Sequence, residues 1–376
     1  MTSFIAWRIL MHEKGRNALA VGGIFIAVLM IFLQLGFYAC APKGGMQIYD
    51  HLQFDLLLAS SSYVAQAQSY DFPRRRLYQA LSLPEVESAA PFYQGESQWL
   101  NQAGGVRRDV FVMAFKPEER TFTTEDIERQ LDALRRPDTV LVDTLTLPMY
   151  GPQTPGRRIE IGERAIEIGG LYRIGTGFLG LGVVVTSDLN FIRIFPNRSL
   201  GAINLGLLTL KPGSDSDQVA ARLRALLPAD TRVFTRPELE AHETTYWRTR
   251  TPTGLIFGFG AIMSIVVGAV ILYQTLATQV IRQLPQYATL KAIGYTDGYL
   301  RGIVLTLALM VASIAFAPAL AGALVIYDQV RAMTRLPIEM TGTRVVAVLM
   351  IALIIATVSA LIAVRAVRRA DPADLF

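Results

Sequence analysis

The sequence predicts four transmembrane α-helices plus one α+β extracytoplasmic domain with a β-rich insertion. Three observations predict it. The 376-residue chain is 52% hydrophobic and 18% charged, where globular proteins average about 45–50% and about 25%. Its apolar residues gather in four long uncharged runs. Its basic residues collect beside those runs: residues 39–252 hold 24 Lys and Arg against 25 Asp and Glu, and the remainder holds 12 against 6. Basic excess on short flanking segments sets membrane orientation, so the net charge of +5 gives no case for nucleic-acid binding.

A helix needs roughly 20 apolar residues to cross the hydrocarbon core. Residues 18–38, 254–277, 302–327 and 345–364 satisfy this, and none of the four runs contains Asp, Glu, Lys, Arg or His. Arg8, Lys14 and Arg16 precede the first run, Arg282, Lys291 and Arg301 lie between the second and third, and Arg365, Arg368 and Arg369 follow the fourth. The positive-inside rule places these three segments in the cytoplasm. The expected order is a cytoplasmic segment (1–17), a first span, an extracytoplasmic α+β domain (39–252, with 97–200 rich in β), a second span, a cytoplasmic loop (278–301), a third span, a short outer loop (328–344), a fourth span and a cytoplasmic tail (365–376). A cleaved leader ending at Ala39-Cys40-Ala41 is the rival reading. The apolar core, however, is far longer than a leader's, and Pro42 would follow the cut. Runs without ionisable residues also argue against ion-coupled transport through these helices.

The outer segment reads as mixed. Residues 54–60, 110–115, 140–143, 159–168, 182–186 and 203–210 have the β-branched content and flanking Gly or Pro of strands. Residues 74–81 and 216–227 read as helices, each stopped by a proline. One cysteine, Cys40, excludes an internal disulfide, and His12, His51 and His242 have no metal-ligand spacing. Gly175-x-Gly177-x-x-Gly180 has the letters of a dinucleotide fingerprint but no following helix, and reads as a loop. No hydrolase motif is present, so no catalytic residues are assigned. The run Arg74-Arg75-Arg76 reads as a solvated helix start, or as a patch for an acidic partner.

The loop between the second and third spans is the most informative stretch. Pro285 suits a first helical turn and Gly294 a terminator. Ile281, Leu284 and Leu290 offer apolar contacts, and Arg282 and Lys291 offer charge. Such a short helix fits docking to a peripheral protein, and equally fits lying on anionic lipid. The chain has no Gly-Lys pair, hence no phosphate-binding loop of its own.

The segment Leu284-Pro285-Gln286-Tyr287-Ala288-Thr289-Leu290-Lys291-Ala292-Ile293-Gly294-Tyr295 resembles the signature of the FtsX/MacB-type (type VII) ABC permeases. More narrowly, the chain resembles DevC-like permeases of cyanobacterial glycolipid export. The matching runs are His12-Glu13-Lys14, Phe72 through Leu81, Pro137 through Leu141, Thr186 through Phe191 and Ala370 through Phe376. Gln286 stands where the family usually has Glu, which puts one contact to the ATPase in doubt. The resemblance implies an ATPase-coupling role for Arg282, Leu284, Pro285, Gln286, Tyr287, Leu290, Lys291, Ala292, Ile293, Gly294 and Tyr295. It implies a MacB-like periplasmic domain, an inner-membrane homodimer and a cytoplasmic ABC ATPase that holds ATP and Mg, with no cofactor on this chain. It also implies a periplasmic adaptor (membrane-fusion) protein, an outer-membrane channel reached through it, and an amphiphilic cargo such as a glycolipid. The alternative is a non-transporting mechanotransmitter that activates an extracytoplasmic hydrolase. A membrane enzyme or receptor with its own outer domain is a third reading. Along the second span Gly254, Gly258, Gly260, Ser264 and Gly268 have small-xxx-small spacing. That spacing allows close packing within the chain or between two copies.

Overall fold

The computed structural model describes residues 8, 14–101, 105–175, 177, 180, 182–283 and 293–368. In chain order the first elements are α1 (Lys14–Met46), β1 (Leu56–Ser60), β2 (Phe72–Pro73), α2 (Arg75–Ala80), β3 (Val86–Asn101), β4 (Val106–Phe115), α3 (Glu125–Glu128) and α4 (Leu131–Leu134). Next come β5 (Thr139–Asp143), β6 (Arg158–Ile161), β7 (Arg164–Tyr172), β8 (Val183–Ser187), α5 (Asp188–Ile194), β9 (Ala202–Ile203), β10 (Leu205–Leu210), α6 (Ser216–Leu226) and β11 (Thr231–Thr235). The last are α7 (Arg236–Thr245), a π-helical turn (Tyr246–Arg250), α8 (Pro252–Arg282), α9 (Asp297–Thr334) and α10 (Gly342–Arg368). The chain divides into two compact units. One takes residues up to Cys40, Pro252–Met333 and those from Ile338 onward; the other takes Ala41–Thr251 with Thr334–Pro337.

The first unit is helical. Val21–Met46, Pro252–Arg282, Arg301–Thr334 and Gly342–Arg365 are long and apolar enough to cross a membrane. The chain is a membrane protein. Hydrocarbon offers no partner for a backbone amide, so these segments satisfy every amide internally as helices. Their core includes a seam of small residues. Ala308, Ala312, Ala315, Ala319 and Ala323 of α9, and Ala352, Ala356, Ala360 and Ala363 of α10, recur every three or four residues and are buried. Small side chains let helices approach closely, which replaces the hydrophobic drive that lipid cannot supply. The Tyr327 hydroxyl donates to the Phe32 carbonyl. Gly36 makes room for that ring, since a Cβ there would fall 2.0 Å from the hydroxyl oxygen.

The second unit is α/β, built on a nine-stranded sheet ordered β11-β1-β10-β3-β4-β8-β5-β7-β6. The outer half, β11-β1-β10-β3, is antiparallel. Both its faces are covered. Leu56 and Leu58 join Leu77 of α2 and Val219 and Leu223 of α6 in one core, while Leu57 and Ala59 join Tyr49 and Leu239 of α7 in another. Two-sided burial is why β1 reads as an unbroken apolar run rather than an alternation.

The β-rich middle expected from the sequence takes the form of a barrel. β3 pairs with β4 over residues 92–101, and β4 continues through β8, β5 and β7 to β6. β6 then pairs back onto β3, with Trp99 opposite Ile161 and Leu100 opposite Glu160, and closes six strands on themselves. Trp99 and Tyr150 fill the interior edge to face at 5.5 Å. Tyr150 lies beneath Gly182, where a Cβ would meet its ring at 2.8 Å. β3 belongs to both halves. Sequence reading did not find it, because Pro91, Gly95, Glu87 and Glu96 break any strand pattern. Pro91 is admitted opposite Gly206, and Gly95 is required where the Phe195 ring packs within 3.1 Å of its would-be Cβ.

Candidate functional site

The segment assigned to coupling begins where α8 ends. Arg282, its last residue, is exposed beside the exposed Ile281. Leu284, Pro285, Gln286, Tyr287, Leu290, Lys291 and Ala292 lie outside the described residues. The chain re-enters at Ile293, which is 70% exposed, and Gly294, whose φ of +106° only glycine adopts without strain. Tyr295 stacks on Tyr299 at 4.7 Å, just past the first residue of α9. Ile281 and Arg282 at one described end of the segment, and Ile293 and Tyr295 at the other, are thus exposed. That combination suits either a partner's groove or a headgroup layer.

The small residues of α8 meet α1 of the same chain. A Cβ on Gly258 would sit 3.2 Å from Tyr38, one on Gly260 2.6 Å from the Gln34 amide, and one on Gly268 3.1 Å from the Ala27 Cβ. The Ser264 hydroxyl turns back to the Gly260 carbonyl at 2.8 Å, and Gly254 is buried. The neighbouring face of α8 carries the exposed Leu255, Phe259, Ile262, Val266 and Val270.

The motif residues of the α/β domain hold one another. Asp138 has φ +53°, and its amide donates to Asn190 Oδ1 at 2.9 Å. Asn190 Nδ2 donates to the carbonyls of Leu134, Arg136 and Thr139. The Asp138 carboxylate accepts from Arg193 and Arg164, whose bonds to the ionised form hold it down at about 2. Residues 137–141 and 186–191 are therefore one joint. Of the arginine run, Arg76 is buried and forks onto both oxygens of Asp230 at 3.0 and 2.5 Å. Arg74 reaches the Tyr93 hydroxyl at 3.4 Å. Only Arg75 is exposed, so a solvated helix start describes one arginine of the three. Gly175, Gly177 and Gly180 all have positive φ, and the Asp143 carboxylate accepts from the Ile174 and Gly175 amides. The dinucleotide lettering is thus a loop tied to its own domain.

One cluster escaped the sequence reading. Glu243 is fully buried, and burial pushes its carboxyl up to about 7. Its Oε1 accepts from the Tyr63 hydroxyl at 2.5 Å and the Gln66 amide at 3.1 Å, and its Oε2 from the Trp247 indole at 3.1 Å. Tyr63 is in turn bonded to Tyr49 at 2.5 Å, and burial raises both phenols well above their ordinary range. The group holds a proton that can exchange near neutrality. Nothing in Glu238-Leu239-Glu240-Ala241-His242-Glu243 marks one acid as buried; the only local hint is Trp247 four residues on. Among the described residues no group of three His, Cys, Asp or Glu is arranged to hold a metal ion.

Residues 17–226 match the MacB-like periplasmic core domain family, and residues 258–372 match the FtsX-like permease C-terminal family. No curated protein matches the chain in sequence. Among solved structures, the chain is similar to the periplasmic region of MacB from Actinobacillus actinomycetemcomitans, at 9% identity and TM-score 0.36, covering 50% of this chain and 90% of that one. It is similar to the extracellular domain of the noncanonic ABC-type transporter YknZ from Gram-positive bacteria, at 10% identity and TM-score 0.33, covering 48% and 99%. It is also similar to a domain of a putative permease protein from Porphyromonas gingivalis, at 16% identity and TM-score 0.32, covering 49% and 87%.

Proposed function

The chain belongs to the MacB-like periplasmic core domain family, here joined to an FtsX-like permease region, and from that membership we propose that it is the permease subunit of an ATP-driven exporter. The observation that carries the reading is the order of parts. The MacB-like match takes in the first membrane helix and most of the domain that follows it, and the FtsX-like match covers the last three helices. Membership in this family supports work with an ATPase partner. We assign ATP and Mg to that separate subunit, because the chain has no phosphate-binding loop.

In this reading the α/β domain faces the periplasm and the loop between α8 and α9 faces the cytoplasm, in line with the basic flanks. Closure of the ATPase pushes on the 282–295 segment, and the stroke passes along the helices to the α/β domain. Two copies of the permease, a periplasmic adaptor and an outer-membrane channel complete the machine. The cargo is an amphiphile, with a glycolipid favoured by the DevC-like motifs. The second reading, a mechanotransmitter acting on an outer hydrolase, shares the same stroke and differs in having no adaptor.

Gly294→Arg tests the docking role, because it adds bulk and charge where φ is +106° and the side chain would project into open space. The expected result is membrane insertion at the wild-type level, with co-purification of the ATPase reduced at least about tenfold, equivalent to about 1.4 kcal/mol. Undiminished ATPase binding and export would count against it.

A further inference from the structure

The long run of the α/β domain begins at Ala41 and ends at Thr251, and Thr334–Pro337 also belong to it. Residues 41–49 and 243–251 are two of the segments that join the domain to its flanking helices, beside 334–337. Within the domain these two segments meet at Gly45 and Trp247. The Trp247 indole lies on Gly45, where a Cβ would come within 2.3 Å of Nε1, so the contact requires glycine. The same indole N–H donates to Glu243, and the other Glu243 oxygen runs through Tyr63 to Tyr49, just beyond the end of α1. Apolar side chains would hold such a junction at lower cost, since a carboxyl without a cation is expensive to bury. The donors it faces are neutral. Around them, Arg236 is turned to the Tyr49 carbonyl at 2.7 Å, Arg232 to the Tyr63 carbonyl at 3.4 Å and His242 to the Val64 carbonyl at 2.9 Å.

We propose that Glu243 is a positioning residue for the coupling stroke: its protonated carboxyl clamps the end of α1 to the α7–Trp247 segment, and loss of the proton loosens the clamp. The proposal rests on the permease reading above. The ionised group accepts from three donors at once. With no cation among them these donors do not offset its desolvation, whereas a proton on Oε1 can be donated to the Tyr63 hydroxyl, which then turns its own hydrogen to Tyr49. Burial, which holds the group near neutrality, brings that exchange into the ordinary range of external pH.

The test uses the full chain in lipid nanodiscs. Hydrogen–deuterium exchange is followed between pH 6 and 8, corrected for intrinsic rates, on peptides covering residues 44–52, 62–68 and 243–251. Protection is expected to be several-fold higher at pH 6, with a midpoint near neutrality that disappears in Glu243→Gln and survives in His242→Gln. Trp247→Phe keeps a ring on Gly45 but removes one bond to the ionised form, so its midpoint moves to higher pH. A pH-independent wild type, or a slope that survives Glu243→Gln, overturns the proposal. If Glu243→Gln does not fold, an unmoved midpoint in Trp247→Phe does so. A second arm measures ATP hydrolysis by the complex with its ATPase. Glu243→Gln at pH 8 is expected to rise several-fold, to the wild-type pH 6 rate. An unchanged pH profile with the ATPase bound removes the positioning role alone. Failure of any ATPase to co-purify removes the exporter reading and leaves the exchange measurement to judge the clamp.

Discussion

Asp138 and Asn190 show what two of the recognised motifs do. A left-handed aspartate is tolerated because Asn190 receives its amide and caps three further carbonyls of the same turn. Asn190→Ala leaves those buried groups without a partner and should cost about 2–3 kcal/mol, read as a lower urea midpoint with an unchanged slope. Glu243 makes a prediction of opposite origin. Its folded value of about 7 lies above the ordinary 4.5, so the unfolded chain releases this proton first. Its contribution is complete below about pH 4.5 and is lost as pH rises toward 7, a change of roughly 3 kcal/mol at about 1.4 kcal/mol per pH unit. Stability should therefore rise on acidification from pH 7.5 to 5 more steeply in the wild type than in Glu243→Gln. Comparison of the two removes the other shifted carboxyls, such as Asp143 and Asp188, which burial pushes the same way. Neither role was legible in the letters. The motif residues were visible, but their partners lie about fifty residues away, and Glu243 sits among acids that look alike until one is buried.

Among the elements, legibility followed burial pattern. β1 was readable because both its faces are covered, and α6 because Val219, Ala220 and Leu223 make one buried stripe behind an Asp215 cap. α7 was not, since its buried residues are Leu239 and Glu243 and the rest is polar. β11 is five residues at a sheet edge. On α8 the small-residue spacing was plain, but the letters left open whether it serves packing within one chain or between two. Gly268→Leu distinguishes these. The Ala27 Cβ stands 3.1 Å from the added carbon, so overpacking should destabilise the monomeric helical unit by about 1–3 kcal/mol. Thermal unfolding in detergent would show this. Loss of dimer with unaltered unfolding would instead assign the stripe to a second copy.

For the whole molecule, hydropathy and charge gave the four helices and the position of the large domain. Barrel closure was out of reach, because nothing near Trp99 or Ile161 announces that residues sixty positions apart will pair. The proposed orientation predicts labelling. A cysteine replacing Asp215 should react with a membrane-impermeant thiol reagent in outer-membrane-permeabilised cells, and one replacing Arg282 should not; native Cys40 is buried. The reverse pattern would place the coupling segment outside the cell. Finally, β3 is one backbone common to the open sheet and the closed barrel. A pull that arrives at the outer strands travels lengthwise along that shared spine, straining its rungs together in shear instead of peeling them singly. The barrel and the outer sheet should answer such a tug as one stiff body.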